Sequence, residues 1–506
     1  MSNNSVSGSS AGIMYTSTRG GQEPVTASMA ILKGLSDNGG LFVPTRIPRL
    51  EKSLSELAGL SYQDLAYEVM RLYLTDFSEE ELRACIRAAY DEKFDTPDIA
   101  SLHEADGAWF LELYHGATIA FKDMALSILP HLMTTAARKN KADHEIVILT
   151  ATSGDTGKAA LAGFADVPGT RIVVFYPKYG VSPIQEKQMV TQKGANTCVI
   201  GITGNFDDAQ TAVKKMFADR EMGAVLDKAG FRFSSANSIN IGRLVPQIVY
   251  YVYAYARLLR DGVIREGEEI NITVPTGNFG NILAAYYAKQ MGLPVKKLIC
   301  ASNENKVLFD FFTSGTYDRR REFILTSSPS MDILISSNLE RLIYKIAGED
   351  AEACAAFMAS LSSDGSYTIT EEMKKGLTDF YGNFLDEEET ACVIADIYAA
   401  DRYVIDPHTA VGAGVRRKYV EETGDDATKT VIASTASPYK FTRSVMRALG
   451  EPVEGLDDFV LADRLQEKSG VPIPEAVRSI LTAPVLHDQV VDPADMPAAV
   501  LRFLGI

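Results

Sequence analysis

The sequence predicts an α/β protein, with parallel sheets covered by helices behind a mainly helical amino-terminal segment. Three observations carry this. Short apolar runs rich in β-branched residues alternate with helical stretches: EIVILT (145–150), RIVVFYP (171–177), EINITVP (269–275), KLICAS (297–302) and TVIAST (430–435). Apolar strands joined by helices imply parallel sheets with both faces covered. Two of these runs lead directly into glycine-bearing loops, TSGDTGKAA (152–160) and PTGNFGN (275–281). Finally, SYQDLAYEVMRLYL (61–74) and SEEELRACIRAAY (78–90) place apolar residues at helical spacing.

Each element has a local cause. Ser78 followed by Glu81 forms a capping box at the start of the second amino-terminal helix. DNGGLFVP (37–44) is a glycine turn leading into an extended piece. GKAALAGFA (157–165) and NILAAYYAKQMG (281–292) read as helices after the two glycine loops. VPQIVYYVYAYA (245–256) is too short to span a bilayer and reads as a buried helix. DEEE (386–389) suits a helix start, where acids complement the dipole.

The bulk numbers bound the function. A chain of 506 residues holds about two or three domains. Its formal charge of −16 and pI near 5 argue against non-specific nucleic-acid binding, while leaving small anionic ligands open. Five scattered cysteines without a CxxC pair read as reduced thiols in an intracellular, here cytoplasmic, protein. Six histidines form no HExxH-type cluster, so no metal site is expected. The small, polar first 13 residues lack a signal peptide's pattern and read as a disordered leader.

The chemistry begins in HGATIAFKDMAL (115–126). Lys122 follows mostly apolar residues and precedes Asp123. Taken alone it is either a surface lysine at a helix start or a desolvated amine able to form a Schiff base. The glycine loops fall where parallel sheets bind ligands, beyond the carboxyl ends of strands, and their amides suit an anion. An amine in an apolar setting plus an anion cradle is what a cofactor with an aldehyde and a phosphate requires. Pyridoxal phosphate is such a cofactor.

These residues resemble the threonine synthase family. HGATIAFKD is similar to its cofactor-lysine signature, HGPTxAFKD. YTSTRG (15–20), SDNGGLFVP (36–44), SGDTG (153–157), NSINIGR (237–243), TGNFGN (276–281), SNENKVL (302–308), PSMDILISSNLERL (329–342), DPHTAVG (406–412) and STASPYKF (434–441) resemble further blocks in the same order. The resemblance implies the tryptophan-synthase-β-like class (fold type II) of pyridoxal phosphate enzymes, with two parallel-sheet domains. With the pattern along the chain, it divides the sequence into a leader over 1–13, a mainly helical unit over 14–98 and a catalytic region over 99–506. A smaller α/β domain at about 125–235 is inserted in that region, and the remainder forms the larger one.

The resemblance also implies roles. Lys122 would hold the cofactor and shuttle protons. Gly277, Asn278, Phe279, Gly280 and Asn281 would cradle its phosphate, and Thr435 would bond the pyridine nitrogen. Asp155 would lie near the ring's 3′-oxygen; two acidic oxygens there imply a shared proton. Ser153, Gly154 and Thr156 would face the substrate, and Asn237, Ser238 and Arg243 would take its phosphate. Ala117 replaces the signature's proline, and Ser437 stands where many members carry histidine. The implied reaction turns O-phospho-L-homoserine and water into L-threonine and phosphate, in a carbon–oxygen lyase acting on phosphate as a monomer or homodimer. The alternatives are a phospho-lyase giving 2-oxobutyrate and a non-catalytic ligand-binding relative; an intact Lys122 speaks against the second.

Overall fold

The computed structural model describes residues 12–152, 154–181 and 183–506. The expected leader therefore lies outside the described residues up to residue 11. Ile13, assigned to it, is buried in the core, and its carbonyl accepts from Thr75 Oγ1 at 3.3 Å.

The amino-terminal helices form as expected. Tyr62–Tyr73 starts on Ser61, whose side chain accepts from the Asp64 amide. Glu79–Ala89 carries the complete Ser78–Glu81 box. Both turn an apolar stripe inward. Ahead of them, Tyr15–Ser17 pairs antiparallel with Phe42–Pro44. This ribbon is tied to the helix Leu339–Ile346 by charged groups. Arg19 Nε and Nη2 donate to the two oxygens of Glu340 at 2.9 and 2.7 Å, and Arg341 Nε donates to the Phe42 carbonyl at 2.9 Å.

Two sheets carry the rest. The larger orders its strands Phe380–Phe384, Val295–Ser302, Ile270–Pro275, Thr430–Ser434, Ala108–Glu112 and Ser101–Ala105. The first five run parallel; the last pairs antiparallel with its neighbour. That hairpin was not expected. Its two-residue turn, Asp106–Gly107, has φ of 50° and 64°, the left-handed pair that Asp-Gly favours. The smaller sheet orders Val490–Val491, Thr197–Ile202, Thr170–Pro177, Glu145–Ala151 and Phe231–Ser234, all parallel. The expected split left everything after about 235 to the larger unit. Instead, residues 490–491 extend the smaller sheet, and Met496–Leu504 buries Met496 and Val500 in the same core cluster as Val147 and Ile200.

The helix Ile241–Arg260 exceeds the expected 245–256 at both ends, and residues 241–256 are buried without interruption. Apolar residues on all sides mark a helix packed all round. Tyr253 and Tyr90 each meet Tyr62 edge-on at 5.1 Å, joining this helix to the amino-terminal unit. Among the described residues no helix is long and apolar enough to cross a membrane.

Candidate active site

The segment bearing Lys122 leaves the carboxyl end of strand Ala108–Glu112 and crosses the end of its neighbour. Leu113 N donates to Ser434 O at 3.0 Å, Phe121 N to Thr435 O at 2.8 Å, and Ser437 N to Ile119 O at 3.0 Å. Ile119 sits at φ 51°, a costly conformation for a β-branched residue. Asp123 closes this turn by accepting from Thr118 N at 2.8 Å and Thr118 Oγ1 at 2.6 Å. The carboxylate after Lys122 thus shapes the loop that presents it. Lys122 itself is buried. Burial pushes its ammonium below the ordinary lysine range; Asp155 pulls the other way, and Lys440 and Arg243 reinforce the lowering.

Lys122 Nζ donates to Ser330 Oγ at 2.9 Å and lies 3.7 Å from Asp155 Oδ2. Ser330 Oγ donates onward to Asp155 Oδ2 at 3.1 Å. Ser330 is oriented by its own amide, which donates to His408 Nε2 at 3.1 Å; His408 Nδ1 in turn donates to Asp406 Oδ2 at 2.7 Å. Asp155 opens the helix Asp155–Phe164, which starts two residues before the expected 157. Burial alone would raise its carboxyl, but Lys440 and Lys122 outweigh this and hold it well below the usual carboxylate range. Two lysines thus lie within ion-pair distance of the Asp155 carboxylate. Sequence reasoning missed Ser330, His408 and Lys440, although all three fall inside blocks of the resemblance.

The second loop has the form of an anion cradle. Among the described residues, the backbone N–H groups of Gly277, Asn278 and Phe279 meet no acceptor, and the buried Asn281 Nδ2 has none either. Asn281 Oδ1 accepts from Tyr250 and Tyr251, which turns its amide nitrogen away from them. Phe279 takes φ 65° just before the helix Gly280–Gln290, whose N-terminus adds a favourable dipole. A Cβ on Gly277 would fall 2.5 Å from the Ser330 carbonyl oxygen, a backbone atom. We therefore expect Gly277→Ala to weaken cofactor affinity by about tenfold or more while the protein stays folded. Titration of apo-protein with the cofactor checks this, and an unchanged affinity would remove the loop from the cradle.

Arg243 is buried, its Nη1 donates to Ala236 O at 3.1 Å, and among the described residues its Nε has no partner. Among the described residues no carboxylate lies within ion-pair distance of it, and burial pushes its guanidinium down to about 10. A buried unpaired cation of this kind awaits an anion. Asn338 links the neighbouring loops, donating to Asn278 O at 2.9 Å and Ser238 Oγ at 3.4 Å. Of the other expected substrate residues, Gly154 is buried beside Gln185 with φ 137°, Thr156 and Ser238 are half-buried, and Asn237 is exposed. Ser153 lies outside the described residues. Thr435 is buried, its amide donating to Thr409 Oγ1 at 3.2 Å.

His115, at the head of the lysine segment, is held between Asp95 Oδ1 at 2.6 Å and Glu112 Oε2 at 3.1 Å. Burial would lower its imidazolium, but the two carboxylates raise it to about 9 from an ordinary 6.5. A raised cation contributes stability that is complete below about pH 6.5 and is lost as pH climbs through about 9. Thermal midpoints measured across that window are expected to fall in the native protein and to fall less steeply in His115→Gln. Equal slopes would contradict the assignment.

A buried lysine and an open amide cradle lie together at the carboxyl ends of parallel strands, an arrangement that suits a cofactor carrying an aldehyde and a phosphate. Residues 94–436 match the family described as pyridoxal-phosphate dependent enzyme. Residues 14–90 match the threonine synthase N terminus, and residues 409–492 the threonine synthase C-terminal family. The chain is 37% identical over 468 residues to threonine synthase of Schizosaccharomyces pombe, covering 86% of this chain and 89% of that one. It is 39% identical over 435 residues to threonine synthase-like 1 of Pongo abelii, covering 83% of this chain but only 58% of that one. A pyridoxal phosphate-bound threonine synthase structure from Brucella melitensis superposes with a TM-score of 0.86 at 33% identity, over 98% of this chain and 100% of that one. The chain belongs to the threonine synthase family of pyridoxal phosphate-dependent enzymes. Its cofactor is pyridoxal phosphate.

Proposed function

We propose that this enzyme converts O-phospho-L-homoserine and water into L-threonine and phosphate. The observation that supports it best is the pairing of two anion sites beside one buried amine: the open cradle at 277–281 and the unpaired Arg243. One phosphate belongs to the cofactor; the other belongs to the substrate.

In this reading Lys122 holds the cofactor, the amides from Gly277 to Asn281 hold its phosphate, Thr435 meets the ring nitrogen, and Asp155 faces the 3′-oxygen. Bound there, the cofactor supplies an electron sink for charge developing on the substrate carbons. Arg243, with Ser238 and Asn237, takes the substrate phosphate. Backbone and hydroxyl groups of Ser153, Gly154 and Thr156 take its carboxylate. Once displaced by the substrate amine, Lys122 removes the Cα proton and later returns it. Ser330 and Asp155 receive the Lys122 ammonium between these steps. A Cβ proton is lost as phosphate leaves from Cγ toward Arg243; Cγ then takes up a proton, the hydroxyl of water adds at Cβ, and the proton water gives up goes to the departed phosphate.

The chain works in this reading as a helical amino-terminal unit and two parallel-sheet units. We place it in the cytoplasm as a monomer or homodimer, acting on a small molecule and on no nucleic acid. Five unpaired cysteines support the reducing compartment. The test counts phosphate, threonine and 2-oxobutyrate in one incubation with O-phospho-L-homoserine. Phosphate matched by threonine is expected. Phosphate matched by 2-oxobutyrate would make the enzyme a phospho-lyase, and no phosphate would remove the reading.

A further inference from the structure

Asp155 is shared by two buried ammonium groups, and only one of them has a place in the chemistry above. Lys440 lies in the short turn after strand Thr430–Ser434, with its side chain fully buried. Its Nζ is 3.3 Å from Asp155 Oδ1 and donates to the Thr118 carbonyl at 2.9 Å. Among the described residues, no other carboxylate is within ion-pair distance of it. Lys122 approaches the other oxygen, Oδ2, directly at 3.7 Å and through Ser330. Gln185 Nε2 donates to Oδ1 at 3.0 Å and completes the clamp.

Burying an ammonium is costly, so one without a task is a poor use of the interior. Lys440 acts on Lys122 in two ways of the same sign. Its charge repels a second charge on Lys122, and it takes up part of the Asp155 carboxylate that would otherwise stabilise the Lys122 ammonium. The other groups in the field are Asp123, Lys158, Arg243 and His408. Lys158 responds in the same sense: burial, then Lys440, lower it to about 8.

We infer that Lys440 is a positioning residue that fixes Asp155 as a carboxylate turned toward Ser330 and disfavours a positive charge on Lys122. It thereby keeps the Lys122 amine available to react. This rests on Lys122 being the reactive amine.

The test needs no turnover. Full-length protein freed of cofactor is labelled with an amine-acylating reagent across a pH series, and the Lys122 peptide is quantified by mass spectrometry. Lys440→Gln keeps a donor and removes the charge. It is expected to raise the pH midpoint of Lys122 labelling, cutting its reactivity at neutral pH by about tenfold, while Lys440→Arg stays near the native midpoint. A folded Lys440→Gln protein with a native midpoint would overturn the inference and leave Lys440 a purely structural residue. Should Lys440→Gln fail to fold, Asp155→Asn is compared with Asp155→Asn/Lys440→Met. The double variant is expected to show the higher midpoint, and equal midpoints overturn the inference. Failure of the native protein to take up pyridoxal phosphate would instead remove the functional reading, and the labelling comparison would stand by itself.

Discussion

Lys122→Ala is expected to fold, to lose visible cofactor absorbance and to release phosphate from O-phospho-L-homoserine at least ~10³-fold more slowly. The size of the effect follows from the double duty proposed for one atom, which anchors the cofactor and moves the Cα proton. Folding should survive because Lys122 is held chiefly by Ser330 and Asp155, and Lys440 remains to pair with Asp155. Removing a buried ammonium also removes a desolvation cost. With cofactor removed from both proteins, a thermal midpoint equal to or above the native one, together with lost turnover, is the predicted combination. Lost turnover with a collapsed midpoint would assign Lys122 to structure.

Arg243→Met carries the second large effect, and stability and function should part company there too. The guanidinium is buried, and among the described residues its Nε is unsatisfied and it has no carboxylate partner. Charge-assisted bonds to phosphate contribute about 1.5–3 kcal/mol each. The variant should therefore raise KM for O-phospho-L-homoserine by about 10²-fold or more, with a much smaller change in kcat. Thermal stability should hold or rise, because an uncompensated charge has left the interior. An unchanged KM would show that the substrate phosphate sits elsewhere.

What the sequence makes legible here is what is contiguous. HGATIAFKD and TGNFGN are short loops after strands, so their residue types, spacing and place in the fold can be read together. The amino-terminal helices announce themselves through Ser61, Ser78 and their apolar stripes. The groups that surround Lys122 are of another kind. Ser330 reaches it across 208 residues, and Lys440 meets Thr118 across 322. No local pattern distinguishes such a serine or lysine from a surface one; only closure of the two sheets brings them together. Asp155 shows the consequence. Nothing near it in the sequence supplies a cation for its carboxylate except Lys158, whereas the folded chain brings Lys440 within 3.3 Å of it. Missed elements follow the same logic. The strand Val490–Val491 is two residues long and has no periodicity to detect. The Asp106–Gly107 hairpin did carry a local signal, the dipeptide itself.

Three buried or half-buried lysines crowd this region, Lys122, Lys158 and Lys440, and the account depends on which of them carries the cofactor. The direct measurement is to load the native protein with pyridoxal phosphate, reduce it with borohydride and map the pyridoxyl group by peptide mass spectrometry. The group is predicted on the peptide containing Lys122 and on no other. A pyridoxyl group on Lys440 or Lys158, or none at all, would contradict the account at its centre.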